Sequence, residues 1–259
     1  MASRHLKSEI SNLKSQIRDL RGRAAAAGLA LSYPSLSLTP PATLLYTRVY
    51  GEQGAQQQMK LVVVGGQARK VGKTSVIAGL IRGLEPFSWT AVKVSAHGAR
   101  DARQETSPDS LPPHLNFSLR EERDPGGPGD TSRFLAAGAR RALWLRVCES
   151  GWAPALPCLL EALGGAEHVI IESNSILEFL HPAVYLLVTR EWEPELKASA
   201  RKFLGRADAL VTVVTSRAGG DAPVPELSRP QPAAKPVFRV TAGEWSSAAL
   251  CRFVTERVK

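Results

Sequence analysis

Lys73 and Thr74 are the residues best suited to chemistry in this chain. They close the stretch Lys60-Leu-Val-Val-Val-Gly-Gly-Gln-Ala-Arg-Lys-Val-Gly-Lys-Thr-Ser75. An ammonium at Lys73 could reach the β- and γ-phosphates of a nucleotide, and the hydroxyl of Thr74 could ligate Mg²⁺. Between Gly66 and Gly72 run Gln67, Ala68, Arg69, Lys70 and Val71. Glycines let backbone N–H groups turn inward on phosphate oxygens, and Arg69 and Lys70 place further positive charge in the loop. Ser75 completes the polar stretch.

Elements on either side must hold such a loop in place. Leu61 to Val64 is a short apolar, β-branched run of the kind found in buried strands. The segment Val76, Ile77, Leu80, Ile81 has the spacing of a helix face. Strand, glycine loop, helix is the order a P-loop requires, and the helix N-terminus adds partial positive charge where phosphate would sit. The common spacing has four residues between the glycines, whereas this loop has five.

Further apolar runs at Trp89–Val94, Leu143–Val147, His168–Ile171, Val184–Val188, Ala209–Val214 and Val237–Val240 read as strands. Helical segments are expected at Asp130–Ala139 (with Asp130 as N-cap), Ala155–Leu163, Glu195–Leu204 and Trp245–Val258. Continuous apolar strands alternating with helices predict an α/β fold, a mostly parallel sheet with helices on both faces. Ligands of such sheets bind beyond the carboxyl ends of the strands. There lie the glycine loop, Ser95-Ala96-His97 and Glu172-Ser173-Asn174. Glu172 ends an apolar strand and is the candidate carboxylate for Mg²⁺ or for orienting water. His97 could hydrogen-bond a phosphate or serve only as a turn residue. Arg133 could contact an anionic ligand or pair with Asp130 one helical turn away. The polar, Pro- and Gly-rich stretch 99–129 reads as a long loop, either a lid over the site or an insertion.

The Gly-x5-Gly-Lys-Thr spacing, with Val71 before the second glycine, resembles the dethiobiotin synthetase branch of the SIMIBI P-loop proteins. Lys93-Val94-Ser95-Ala96-His97-Gly98 resembles the Lys-His-Asp-Ala-His-Gly signature of the molybdopterin-guanine dinucleotide biosynthesis protein B (MobB-like) family. Asp130-Thr131-Ser132-Arg133 with Ala137-Gly138-Ala139, and the strand ending in Glu172, are similar to later segments of that family in the same order. The resemblance spans roughly residues 60–190. It implies a SIMIBI-type P-loop fold and a weakly hydrolytic GTP-binding protein, often dimeric, that assists attachment of a nucleotide to molybdopterin. It also implies ligand contacts by His97 and Arg133. Ser95 stands where that family has Asp, Ser173 where it has Gly, and the loop is one residue longer. Nucleotide binding depends less on these positions than turnover does.

A chain of 259 residues with 44% hydrophobic and 22% charged residues has the composition of a soluble globular protein. No apolar run is long enough to span a bilayer, and the N-terminus has no signal-peptide core. Cys148, Cys158 and Cys251 are odd in number and widely spaced, and read as reduced thiols of a cytoplasmic protein. Residues 1–58 carry seven Lys/Arg and three Asp/Glu, so they supply +4 of the net charge of +9. No basic stretch is interleaved with aromatics, which argues against a nucleic-acid surface. Leu6, Ile10, Leu13, Ile17 and Leu20 form a short amphipathic helical seam, followed by Ser/Pro/Thr-rich and Gln-rich sequence. The expected organisation is an N-terminal extension over 1–58 and a nucleotide-binding domain over 59–259.

The expected function is Mg²⁺-dependent binding of GTP or ATP with slow hydrolysis, and the base is not specified. Where many GTP-binding proteins carry Asn-Lys-x-Asp, this chain has Thr215-Ser216-Arg217-Ala218. Two other readings are carried forward. One is a kinase or ligase that holds a small anionic metabolite with His97 and the 99–129 loop, and the resemblance makes a pterin cofactor a further partner. The other is a non-catalytic, nucleotide-gated binding module.

Overall fold

The computed structural model describes residues 59–97, 111, 115–190, 196–214 and 235–259. The N-terminal seam, the Thr215–Ala218 segment and the residues from there to 234 lie outside the described residues. Eight strands form one sheet: β1 (Lys60–Gly66), β2 (Trp89–His97), β3 (Phe117–Glu122), β4 (Arg141–Cys148), β5 (His168–Glu172), β6 (Val184–Arg190), β7 (Ala209–Val214) and β8 (Val237–Thr241). Their order is β3-β4-β2-β5-β1-β6-β7-β8. All pairs are parallel except β3 with β4.

The middles of the central strands, such as Leu61–Val64 and Val169–Ile171, are continuous apolar runs because both of their faces are covered. On one face, Val62, Val64, Ile170 and Leu186 pack under α1 (Lys73–Gly83), α2 (Asp130–Ala136) and α5 (Ala248–Val258). On the other, Val63, Val169, Ile171 and Leu187 pack under α3 (Trp152–Ala162) and α4 (Ala198–Phe203). These side chains are fully buried, each contributing about 1.5–3 kcal/mol by its removal from water. The sheet is therefore the mostly parallel, doubly covered α/β arrangement that the strand and helix pattern predicts. Among the described residues, no helix is long and apolar enough to cross a membrane. The three cysteines carry free thiols.

Three local expectations are corrected. Residues 99–129 are not loop throughout, because Phe117–Glu122 forms the antiparallel edge strand β3. Phe117 and Leu119 alternate with Ser118 and Arg120, and the two apolar side chains pack against the core. That period of two was hidden by the polar stretch around it. Asp130 is not the cap of α2. Gly129 holds that position without a side-chain cap, and Asp130, the first helical residue, pairs with Lys93. The last helix begins at Ala248, where the Ser247 hydroxyl accepts from the Leu250 N–H at 3.2 Å. Trp245, three residues earlier, has φ 59° and cannot be helical.

Candidate functional site

Because β1 and β5 are direct neighbours, with Val64 in register with Glu172, the start of the loop and the carboxylate emerge side by side. Glu172 is 7% exposed. Thr74 Oγ1 donates to its Oε2 at 2.8 Å, and Lys73 Nζ lies 3.6 Å from its Oε1. A hydroxyl, a carboxylate and an ammonium thus converge at the carboxyl edge of the sheet.

Two glycines make this convergence sterically feasible. A Cβ on Gly66 would lie 2.6 Å from Cδ of Lys73, so only glycine lets the lysine fold back over the loop. Gly72 has φ 102°, and a Cβ there would lie 2.9 Å from the Trp245 ring. Gly72 is also the N-cap of α1, which has no side-chain cap and no acid in its first turn. The leading N–H groups of α1 therefore stay available to an anion, in the field of the helix dipole.

The rest of the loop is anchored to the fold. Gln67 is buried, its N–H donates to Val188 C=O at 2.9 Å, and its Oε1 accepts from the Arg190 N–H at 3.2 Å. Val71 is buried and Ala68 packs against the same core, while Arg69 and Lys70 are exposed. Lys70 holds φ 57°, an uncommon conformation for a side-chain-bearing residue. Ser75 accepts from Arg133 Nη2 at 2.8 Å, and Arg133 Nη1 lies 3.6 Å from Asp130. Arg133 is thus the partner of Asp130, as one of its two expected roles has it, and it also bonds the first turn of the loop helix through Ser75. Ser75 and Arg133 also line a cavity of about 260 Å³, shared with Ala78 and Arg82 of α1, Ala136 of α2 and Trp245.

His97 stands apart from this cluster. It lies four residues beyond Lys93, which is the residue in register with Glu172, so it sits about 13 Å further along the strand. Among the described residues its buried Nε2 has no hydrogen-bond partner. Ser95 and Ser173, the positions that depart from the MobB-like pattern, are engaged elsewhere. Ser95 Oγ accepts from Trp144 Nε1 at 3.0 Å, and Ser173 Oγ accepts from the Ile176 N–H at 3.1 Å.

Two site residues escaped sequence reasoning. Asn174 is 4% exposed and grips Gly66 from both sides: its Oδ1 accepts from the Gly66 N–H at 2.7 Å and its Nδ2 donates to Gly66 C=O at 3.1 Å. Its place two residues after Glu172 was the available signal. Lys197 precedes α4, and its N–H donates to Gln67 C=O at 3.0 Å. Burial first, then the charges of Lys73 and Arg69, push its ammonium pKa down to about 8 against an opposing pull from Glu172. No local pattern in the sequence marks it. Chain topology brings it to the loop from more than a hundred residues away.

The strand order, the glycine loop closing β1 and the helix that follows define the α/β fold of the P-loop NTPases. No family model and no curated protein matches the chain. Among solved structures it is similar to HypB from Helicobacter pylori in complex with nickel, at 14% identity and TM-score 0.47, covering 84% of this chain and 93% of that one. It is also similar to an apo form of LpxK from Aquifex aeolicus in complex with ATP, at 15% identity and TM-score 0.41. That alignment covers 77% of this chain and 62% of LpxK, so this chain matches less than two thirds of LpxK's length.

Proposed function

We propose that the chain binds a nucleoside triphosphate with Mg²⁺ and hydrolyses it slowly. The observation that carries this is the meeting of Lys73, Thr74 and Glu172 beneath an uncapped helix start. Mg²⁺ prefers oxygen donors, and the Thr74 hydroxyl and Glu172 carboxylate, 2.8 Å apart, supply two of them. Bound there, the metal would neutralise charge on the terminal phosphates. Lys73, now beside Glu172, would turn its ammonium to the β- and γ-phosphate oxygens, and the α1 N–H groups would hold the others. Glu172 would then be free to orient the attacking water, directly or through the metal. The resemblance to MobB-like proteins favours GTP and a role in attaching a nucleotide to molybdopterin. Its motifs meet the loop through Lys93, Asp130, Arg133 and Ser75.

A second reading, a nucleotide-gated module without turnover, is favoured by Ser95 and Ser173, which carry no carboxylate and turn to structural partners. Phosphate release separates the two readings. Hydrolysis predicts Mg²⁺-dependent release that falls by about a hundredfold in Glu172→Gln while nucleotide still binds. No release by the wild type above the rate of nucleotide alone would leave the module.

A further inference from the structure

The cavity beside α1 has no part in the function above. It is built from Ser75, Ala78 and Arg82, which recur at spacings of three and four and so share one side of α1. Arg133 and Ala136 of α2, also three apart, complete that part of the lining. Alanine at 78 and 136 sets short side chains between long ones, and a hollow of about 260 Å³ remains. That is close to the lower bound, about 300 Å³, of small-molecule sites. The turn after β8 supplies another wall. There Trp245 holds φ 59°, and its N–H donates to Thr241 C=O at 3.1 Å. A Cβ on Gly79 would lie 2.7 Å from the Trp245 carbonyl oxygen, so glycine is what admits this turn against α1. A bulky residue keeps such a conformation only where its surroundings hold it. Here they hold an indole beside two arginines.

Arg133 is fixed at one end of the cavity by its bonds to Ser75 and Asp130. Arg82 is exposed in the last turn of α1, at the other end. Among the described residues no carboxylate lines the space between them. A nucleotide on the loop does not account for this pair of cations. Its base and sugar are uncharged, and its phosphates belong with Lys73 and Glu172, whereas Arg82 starts about 12 Å along the helix from Thr74. We propose that the cavity binds a second small molecule, a flat ring bearing a phosphate, with the anion between Arg82 and Arg133 and the ring against Trp245. Guanidinium forks match phosphate oxygens with paired bonds, and both guanidinium and indole favour a flat ring. The site is separate from the phosphate loop but adjoins it, through the Arg133 bond to Ser75 and the packing of the Trp245 ring against Gly72.

The test is calorimetric titration of the full chain with phenyl phosphate, which has both features, and with inorganic phosphate and phenol, which have one each. Phenyl phosphate should bind one per chain, and at least about fivefold more tightly than either of the others. Arg82→Ala should weaken it by about tenfold or more, and Arg82→Lys should recover only part of that loss. Neither variant should move the melting temperature of the free protein, because Arg82 is exposed. Lys73→Ala should bind phenyl phosphate as the wild type does. Binding that is lost in Lys73→Ala and kept in Arg82→Ala would put the anion in the phosphate loop and overturn the proposal. So would no binding up to about 10 mM, or displacement of phenyl phosphate by MgATP or MgGTP. The proposal stands apart from the nucleotide reading: a wild type that binds neither ATP nor GTP defeats that reading, while the Arg82 variants still decide this one.

Discussion

The centre and the edges of the sheet are built by different rules. In β1 and β5, Val62 to Val64 and Val169 to Ile171 are wholly buried, and both strands end in residues of the candidate site. At the edges, β3 has no fully buried residue and β8 has one, Val240. A strand covered on both faces leaves only its carboxyl end open to solvent, so polar residues there are free to serve a ligand. A strand covered on one face shows polar side chains along its whole length, and their position says little about function. The lesson is that the site's precision depends on the centre, while the edges tolerate change.

That contrast can be tested by substitution. Ile171→Ala in β5 should cost about 2–5 kcal/mol of stability in urea unfolding, because a buried cavity opens between helices and sheet. Leu119→Ala in β3, only partly buried, should cost about 1 kcal/mol, scaled down with its burial. Equal costs would erase the distinction.

Asn174→Ala should cost about 1–3 kcal/mol, since it strands the buried N–H and C=O of Gly66. It should also weaken nucleotide binding without touching any phosphate group, which thermal melting and titration together would reveal. Tyr185 sits in the same region, and its buried hydroxyl has no hydrogen-bond partner among the described residues. Tyr185→Phe should therefore leave stability within about 0.5 kcal/mol of wild type or raise it slightly.

The smallest effect belongs to the edge. Arg141 Nε donates to Glu121 Oε1 at 2.8 Å, and this bond holds the carboxyl pKa below its ordinary value. A depressed carboxylate stabilises the fold above its unfolded pKa, and that contribution is lost as pH falls through the folded value. Glu121→Gln should thus lower stability above about pH 4.5, by less than about 1 kcal/mol because the pair is solvent-screened, and the difference from wild type should vanish as pH falls through the folded value.

The same division explains what could be read in advance. Runs such as Leu61–Val64 and His168–Ile171 are continuous and apolar, so the central strands and the residues at their ends were legible from pattern alone. Lys73, Thr74 and Glu172 followed from those strands and do converge. The edge strand Phe117–Glu122 was missed because its two apolar residues are outweighed by polar neighbours. Trp245 was placed in a helix because its apolar character fits the α5 pattern, whereas its φ of 59° seats the ring against Gly72 instead. His97 and Arg133 were singled out by their places at a strand end and in a short helix and by the resemblance, which implied a ligand contact for each. Which of the two approaches the loop depends on strand register and helix packing, and that is Arg133. Asn174 and Lys197 depend on contacts across more than a hundred residues, which no local spacing encodes.

The most direct test of the central claim is Mg²⁺-dependent binding of ATP and GTP to the wild type and to Lys73→Ala. The convergence of Lys73, Thr74 and Glu172 predicts that the wild type binds at least one of the two nucleotides and that the variant loses it by about a hundredfold. Absence of binding by the wild type with Mg²⁺ present, or equal binding by the variant, would contradict a phosphate cradle at this loop.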